Sequence, residues 1–293
     1  MRYMKAETAR AAAVALAEEP GTARVLAGGT DLLVQMKSGT VQIDLVVDIK
    51  AIPGIRSITA EAGGYRVGAA VSNSELREHA EVCALWPGVA EAAGLIGSTQ
   101  VQGRCTMVGN LCNGSPAGDA VPALVAADAV VRIEGPEGSR DVPVGQIPVG
   151  PGRTSLKKGE IITSVLLPAR PARSGDAYLR FIPRTEMDIA VAAAAVSLTL
   201  DASGTVTAAR VALGAVAPKV VLVDAAAKAI IGTKLDAAAQ AALTAACEAA
   251  CAPIDDKRGT IEFRTSTAGV LARRAALIAY KRAQSAEKAG ASK

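Results

Sequence analysis

The chain of 293 residues sets 32 Lys and Arg against 28 Asp and Glu, a formal charge of +4, and half its residues are hydrophobic while only 2% are aromatic. So long a chain can bury a large core in two or three lobes, with Ala, Val, Leu and Ile as its material. Scarce aromatics and scattered basic residues exclude a base-stacking or phosphate-tracking nucleic-acid surface, and no apolar run nears the ~20 residues of a bilayer span.

From the N-terminus, residues 5–19 read as an Ala-rich helix with Glu7, Glu18 and Glu19 inside it, unlike a secretory leader, so a soluble cytoplasmic protein is expected. Pro20-Gly21 ends it. A short apolar run, a turn at Gly28-Gly29 and a helix to about Lys37 follow, then a buried β-branched strand over residues 44–49. This first lobe closes near residue 54.

A second lobe spans residues 55–170. It opens with a strand at 65–71 and a capping box, Ser72-Asn-Ser-Glu75, at the start of a helix to Trp86. Another helix runs from Pro87 to Ile96. Residues 97–120 are dense in Gly, Asn, Ser and Thr; a helix from Val121 and strands at 129–134 and 161–167 complete the lobe. Residues 145–159 form a polar loop too long for a plain connection, hence a functional candidate.

Residues 168–175 read as a linker into a C-terminal α+β domain, residues 171–293. Three strands are expected there, at 178–182, 190–200 and 205–216, the last two a hairpin around Asp201-Ala-Ser-Gly204. Helices follow at 219–230, 236–251 and about 263–286, and residues 289–293 read as disordered.

The five cysteines are odd in number and form no CxxC pair, so neither a disulfide framework nor an internal metal site is expected. Cys247 and Cys251 read as small hydrophobes on one helix face. The single histidine, His79, reads as a surface or helix-end residue rather than a base or a metal ligand.

Two Gly-centred stretches carry the functional signal. In Val25-Leu-Ala-Gly-Gly-Thr-Asp-Leu32, the glycines let a ligand approach the backbone, Thr30 or Asp31 can cap the following helix, and its first amides favour a phosphate. In Thr106-Met-Val-Gly-Asn-Leu-Cys-Asn-Gly-Ser-Pro-Ala-Gly-Asp119, Gly109-Asn110 and Asn113-Gly114 read as turn formers, amid small polar groups that must satisfy their own backbone or that of a ligand. One such loop per lobe suggests a dinucleotide lying between the lobes.

These two stretches, with Leu156–Ile162, Phe181–Ala190 and Ala212–Val216 in the same order, resemble the FAD-binding medium subunits of molybdenum hydroxylases, the group of xanthine dehydrogenase, aerobic carbon monoxide dehydrogenase and 4-hydroxybenzoyl-CoA reductase. The resemblance implies a two-lobed FAD-binding domain of the vanillyl-alcohol-oxidase (PCMH) type followed by the α+β domain. It implies FAD on this chain, with its diphosphate wrapped by Ala27, Gly28, Gly29, Thr30, Asp31 and Leu32, and with Val25 and Leu26 among the cofactor-binding residues. Thr106, Gly109 and Asn110 would form a second phosphate and ribityl loop with Ser115 beside it, and Asp119 would accept hydrogen bonds from cofactor hydroxyls. Ile96, Ile162 and Arg180 would lie near the adenine or the flavin. Where relatives carry Gly-Gly-Asn this chain has Val108-Gly109-Asn110, and a Cβ at Val108 makes positive φ costly, which weakens the case for a cofactor contact there.

The same resemblance implies partners: a large subunit with a molybdenum–pterin cofactor and a small subunit with two [2Fe–2S] clusters, assembled as a dimer of heterotrimers, with electrons leaving through FAD to an external acceptor. No catalytic residue and no metal ligand is expected on this chain. A self-contained flavin oxidase would need its own base and an aromatic-rich substrate domain, and an assembly protein would lack flavin.

Overall fold

The computed structural model describes residues 1–290. The first departure from the sequence reading comes at the N-terminus, where Arg2–Lys5 is a strand, β1, and the helix α1 covers Ala9–Glu18. Thr8 divides them: its hydroxyl accepts from the amide of Ala11 at 3.1 Å, an N-cap that stops the helix running back to residue 5. The rest of lobe 1 is β2 (Ala23–Leu26), the short helix α2 (Leu32–Lys37) and β3 (Leu45–Asp48), a parallel sheet in the order β1-β3-β2. Strand β3 is central and buried throughout, as its Leu-Val-Val run requires.

In the second lobe, β4 (Ile58–Glu61) and β5 (Gly64–Gly68) form a hairpin, of which only the second strand is legible as a run of apolar residues. The capping box forms as expected: Ser72 accepts from the amide of Glu75, and Glu75 accepts from that of Ser72. The expected single helix is instead α3 (Asn73–Glu78) and α4 (Ala80–Leu85), broken at His79. The His79 imidazole accepts from the amide of Val82 at 3.3 Å, so this histidine is a helix-end residue. Helices α5 (Pro87–Gly94), α6 (Thr99–Gln102), α7 (Met107–Cys112) and α8 (Ala120–Ala126) lead into β6 (Val130–Gly135) and β7 (Gly138–Pro143). The long polar loop holds a small hairpin, β8 (Pro148–Gly150) with β9 (Arg153–Thr154), before β10 (Ile161–Leu167). The main sheet is antiparallel in the order β4-β5-β10-β6-β7. Leu16 of α1 and Leu45 and Val47 of β3 share one core with Val131, Ile133 and Val165 of this sheet.

The C-terminal sheet has four strands, not three: β11 (Ser174–Phe181), β12 (Ala192–Leu200), β13 (Val206–Gly214) and β14 (Val221–Leu222). The fourth is two residues long, too short to leave a period in the sequence, and it occupies the start of the segment read as helix. Helices α9 (Asp224–Ile230), α10 (Ala237–Ala249) and α11 (Ile261–Gly290) follow; α11 packs on β11 and β12. Cys247 is fully buried in this second core, and Cys251 half-buried beside it. Of the expected tail, Ala289 and Gly290 continue α11, and residues 291–293 lie outside the described residues.

Buried charges join this domain to the second lobe. Asp176 accepts from Arg170 at 2.7 Å and from the amide of Gly88 at 2.9 Å, and the Arg170 guanidinium lies 4.2 Å from the centre of the Trp86 ring. Asp119 accepts from Tyr178 at 2.8 Å and Arg180 at 2.6 Å.

Candidate cofactor site

A cavity of about 830 Å³ lies between the two N-terminal lobes. Sites for small ligands and cofactors occupy about 300–1,000 Å³, so this one suits a large ligand. Its walls come from β2 and the turn after it, the start of α7, and the segment from Gly152 to Ile162.

The first glycine turn is shaped by two different constraints. At Gly28 a Cβ would lie 2.7 Å from the carbonyl carbon of Arg104 and closer still to its oxygen, so glycine is required there for contact with lobe 2 rather than with a ligand alone. Gly29 has φ +78°, a left-handed conformation that other L-residues adopt at a cost. Together they turn the chain so that the amides of Gly28, Gly29, Thr30, Asp31 and Leu32 donate, among the described residues, to no acceptor within the protein. Five unused donors on one short turn are an anion-binding arrangement.

Neither Thr30 nor Asp31 caps α2 through its side chain. The Asp31 carboxylate instead accepts from the Asn113 side-chain amide at 2.7 Å, so the two glycine stretches are tied directly to each other. Spacing alone could not reveal this pair, whose members are 82 residues apart in sequence.

The second stretch is more helical than its composition suggests. Gly109 and Asn110 lie inside α7 rather than in a turn. Thr106 is the N-cap of α7, accepting from the amide of Gly109 at 2.9 Å, and the Asn110 carboxamide oxygen accepts from the amide of Ala120 at 3.1 Å. The amides of Met107 and Val108 remain without acceptors among the described residues. Because the segment is helical, Val108 needs no positive φ, and it lines the cavity.

Of the residues expected to bind the cofactor, Val25, Ala27, Gly28, Gly29, Thr30, Asp31, Leu32, Ile96, Thr106, Gly109, Asn110 and Ile162 line this one cavity. Leu26, Ser115, Asp119 and Arg180 do not. Ser115 accepts from the amide of Ala117 within its own turn. Asp119 is buried, with both carboxylate oxygens engaged at the junction with the C-terminal domain; burial raises its carboxyl to about 6, against the pull of Arg180. Lining residues absent from the expected set include Arg24, Gln35, Asn113, Thr154, Lys157 and Lys158. The signal for the last three was the overlong loop before β10.

Chemically the cavity can bind but is poorly equipped for acid–base work. Burial pushes the Cys105 thiol up to about 11, so it stays neutral near pH 7. Glu160 is held below its usual range by hydrogen bonds from Arg140, at 3.0 and 2.9 Å. Among the described residues no cluster of His, Cys, Asp and Glu could hold a metal ion, and no helix is long and apolar enough to cross a membrane.

Comparison with known proteins agrees with this geometry. Residues 1–170 match the model of the FAD binding domain in molybdopterin dehydrogenase, and residues 177–279 that of the CO dehydrogenase flavoprotein C-terminal domain. The chain is 34% identical over 271 residues to the carbon monoxide dehydrogenase medium chain of Hydrogenophaga pseudoflava, covering 92% of this chain and 94% of that one. It is also 34% identical over 218 residues to the xanthine dehydrogenase FAD-binding subunit of Escherichia coli O157:H7, covering 74% of each. Among solved structures, carbon monoxide dehydrogenase from Hydrogenophaga pseudoflava superimposes with a TM-score of 0.92 at 33% identity, over 96% of this chain and 98% of that one. The chain belongs to the family of FAD-binding subunits of the molybdopterin dehydrogenases.

Proposed function

We propose that this chain holds FAD in the cleft between lobes 1–54 and 55–170, and serves as the electron-transfer subunit of a heterotrimeric molybdenum hydroxylase. The observation that carries the reading is the row of unused amides from Gly28 to Leu32, joined on the same cavity by that of Val108. A diphosphate supplies the acceptors that these donors lack within the chain. Its partners in this proposal are a large chain with the molybdenum–pterin cofactor and a small chain with two [2Fe–2S] clusters, the whole assembled as a cytoplasmic dimer of heterotrimers. The medium-chain relatives support a multi-chain assembly.

Bound FAD would supply one- and two-electron redox chemistry that no side chain here provides. The protein's own part is to bind and to shield. The turn at Gly28-Gly29 presents backbone donors, and the Asp31–Asn113 hydrogen bond holds the two lobes' loops in register. Ile49, Ala69, Ile96 and Ile162 give the cavity an apolar wall that excludes water. Asp31 is engaged by Asn113 and Glu160 by Arg140, and the Cys105 thiol is neutral, so the site sets an environment without moving protons.

Purification from the native source, followed by mass spectrometry of whatever stays bound, tests the subunit reading. Two further chains, one carrying molybdenum and one carrying iron and sulfide, are expected. A chain that is fully active alone on an organic substrate would refute it.

A further inference from the structure

The cavity's mouth carries charges that the backbone cradle does not need. Arg24, Lys157 and Lys158 line it, and all three are exposed. Among the described residues none of them closes a salt bridge, and the charge of Lys157 adds only the smallest share to the pull that holds Glu160 below its usual range, after Arg140. Two carboxylates share the cavity with them: Glu160, neutralised by its bidentate pair with Arg140, and Asp31, hydrogen-bonded to the uncharged Asn113. The lining therefore keeps an excess of two positive charges, which matches the two ionised phosphates of a dinucleotide.

The lysines stand on a fixed support. The amide of Lys157 donates to the Glu160 carboxylate at 2.7 Å, and the amide of Glu160 donates back to the Lys157 carbonyl at 3.0 Å. Gly159, in a left-handed conformation with φ +86°, seats the turn on α1, where a Cβ would come within 2.7 Å of the Ala17 methyl. Turn and carboxylate thus hold the backbone still while the two ammonium groups stay solvated. Solvated charges on a rigid rim exert a field beyond contact range but form no directed bond.

We infer that Lys157 and Lys158, with Arg24, form a cationic collar that steers the anionic dinucleotide into the cleft, while the amides of Gly28 to Leu32 grip it once inside. The inference rests on the FAD reading and adds a division of labour to it. Steering charges act on the association rate, and they act less as salt screens them. Gripping donors act on dissociation and are screened little.

The test is stopped-flow quenching of flavin fluorescence on the full chain, stripped of flavin and mixed with FAD. Raising the ionic strength from about 0.01 M to about 0.15 M shortens the screening length from about 30 to about 8 Å. Over that range the native chain's association rate falls by roughly tenfold. The Lys157→Gln/Lys158→Gln variant associates several-fold more slowly at low salt, shows a flattened salt dependence and keeps the native dissociation rate. An unchanged association rate and salt slope overturn the steering role, as does a variant whose only change is faster dissociation. If the native chain takes up no FAD at all, it is the FAD reading that falls.

Discussion

Replacing Gly28 by Ala adds one methyl group at the tightest contact between the two lobes. The new carbon would sit 2.7 Å from the Arg104 carbonyl carbon, nearer its oxygen, and 3.2 Å from the Cα of Cys105. All three are backbone atoms that precede the α7 cap at Thr106, so no side chain can swing away to relieve the clash. Overpacking of this kind costs about 1–3 kcal/mol. At about 2–4 °C per kcal/mol for a chain of this size class, melting of the flavin-free protein should fall by several degrees. The relief must come from the turn moving off lobe 2, which carries the free amides with it, so FAD affinity falls by more than tenfold. Differential scanning fluorimetry reads the first effect and flavin-fluorescence titration the second. At Gly29 the nearest atom to an added Cβ is Leu26 Cδ1, at 2.8 Å, the end of a flexible side chain. Gly29→Ala therefore bears mainly its left-handed backbone cost, about 1–2 kcal/mol. A Gly28→Ala protein with native melting and native FAD affinity would refute this account of the turn.

Three other outcomes follow from the same contacts. Asn113→Ala frees the Asp31 carboxylate; a hydrogen bond of this partly exposed kind is worth about 0.5–1.5 kcal/mol, so FAD should dissociate a few-fold faster in a rapid-dilution experiment. Arg170→Ala strands the buried Asp176 carboxylate, whose partner it is at 2.7 Å, and should cost about 3–5 kcal/mol in urea unfolding without changing FAD affinity in the folded fraction. Asp119 should give a native carboxyl titration near pH 6, above its ordinary value of 3.8, because burial disfavours its charge. Between those two values the folded chain holds the proton and the unfolded chain does not. This group's contribution to stability is therefore complete below about pH 4 and is lost as pH rises through about 6; pH-resolved urea unfolding of the native chain against Asp119→Asn shows whether that slope disappears.

The parts of the fold written in local chemistry were legible. The Ser72–Glu75 box, the apolar β3 and the long strands β12 and β13 each carry a period or a cap strong enough to read without their surroundings. The elements that escaped are those stabilised mainly by distant partners. Strand β1 exists because β3 pairs with it, and Tyr3 reaches across to Asp48 at 2.7 Å. Strand β14 exists because Ala212 and Leu213 hold it. The site divides the same way. Gly28 and Gly29 announce a turn, but that Gly28 is fitted to the Arg104 carbonyl depends on a lobe 76 residues away, and Asp31 shows its tie to Asn113 only after folding. Composition misled at Gly109 and Asn110, where turn-forming residues sit inside a capped helix because Thr106 supplies the start signal. The hydrogen bonds that Asp119 accepts from Tyr178 and Arg180 join it to the C-terminal domain, a partnership its loop cannot reveal.

The central claim, that the paired glycine stretches build an FAD site, is most directly tested by the visible absorption spectrum of the purified chain together with mass analysis of what heat releases. Flavin absorbance close to one FAD per chain is expected, with a lower flavin content in the Gly28→Ala protein. A colourless chain that takes up no FAD when the cofactor is supplied would contradict it.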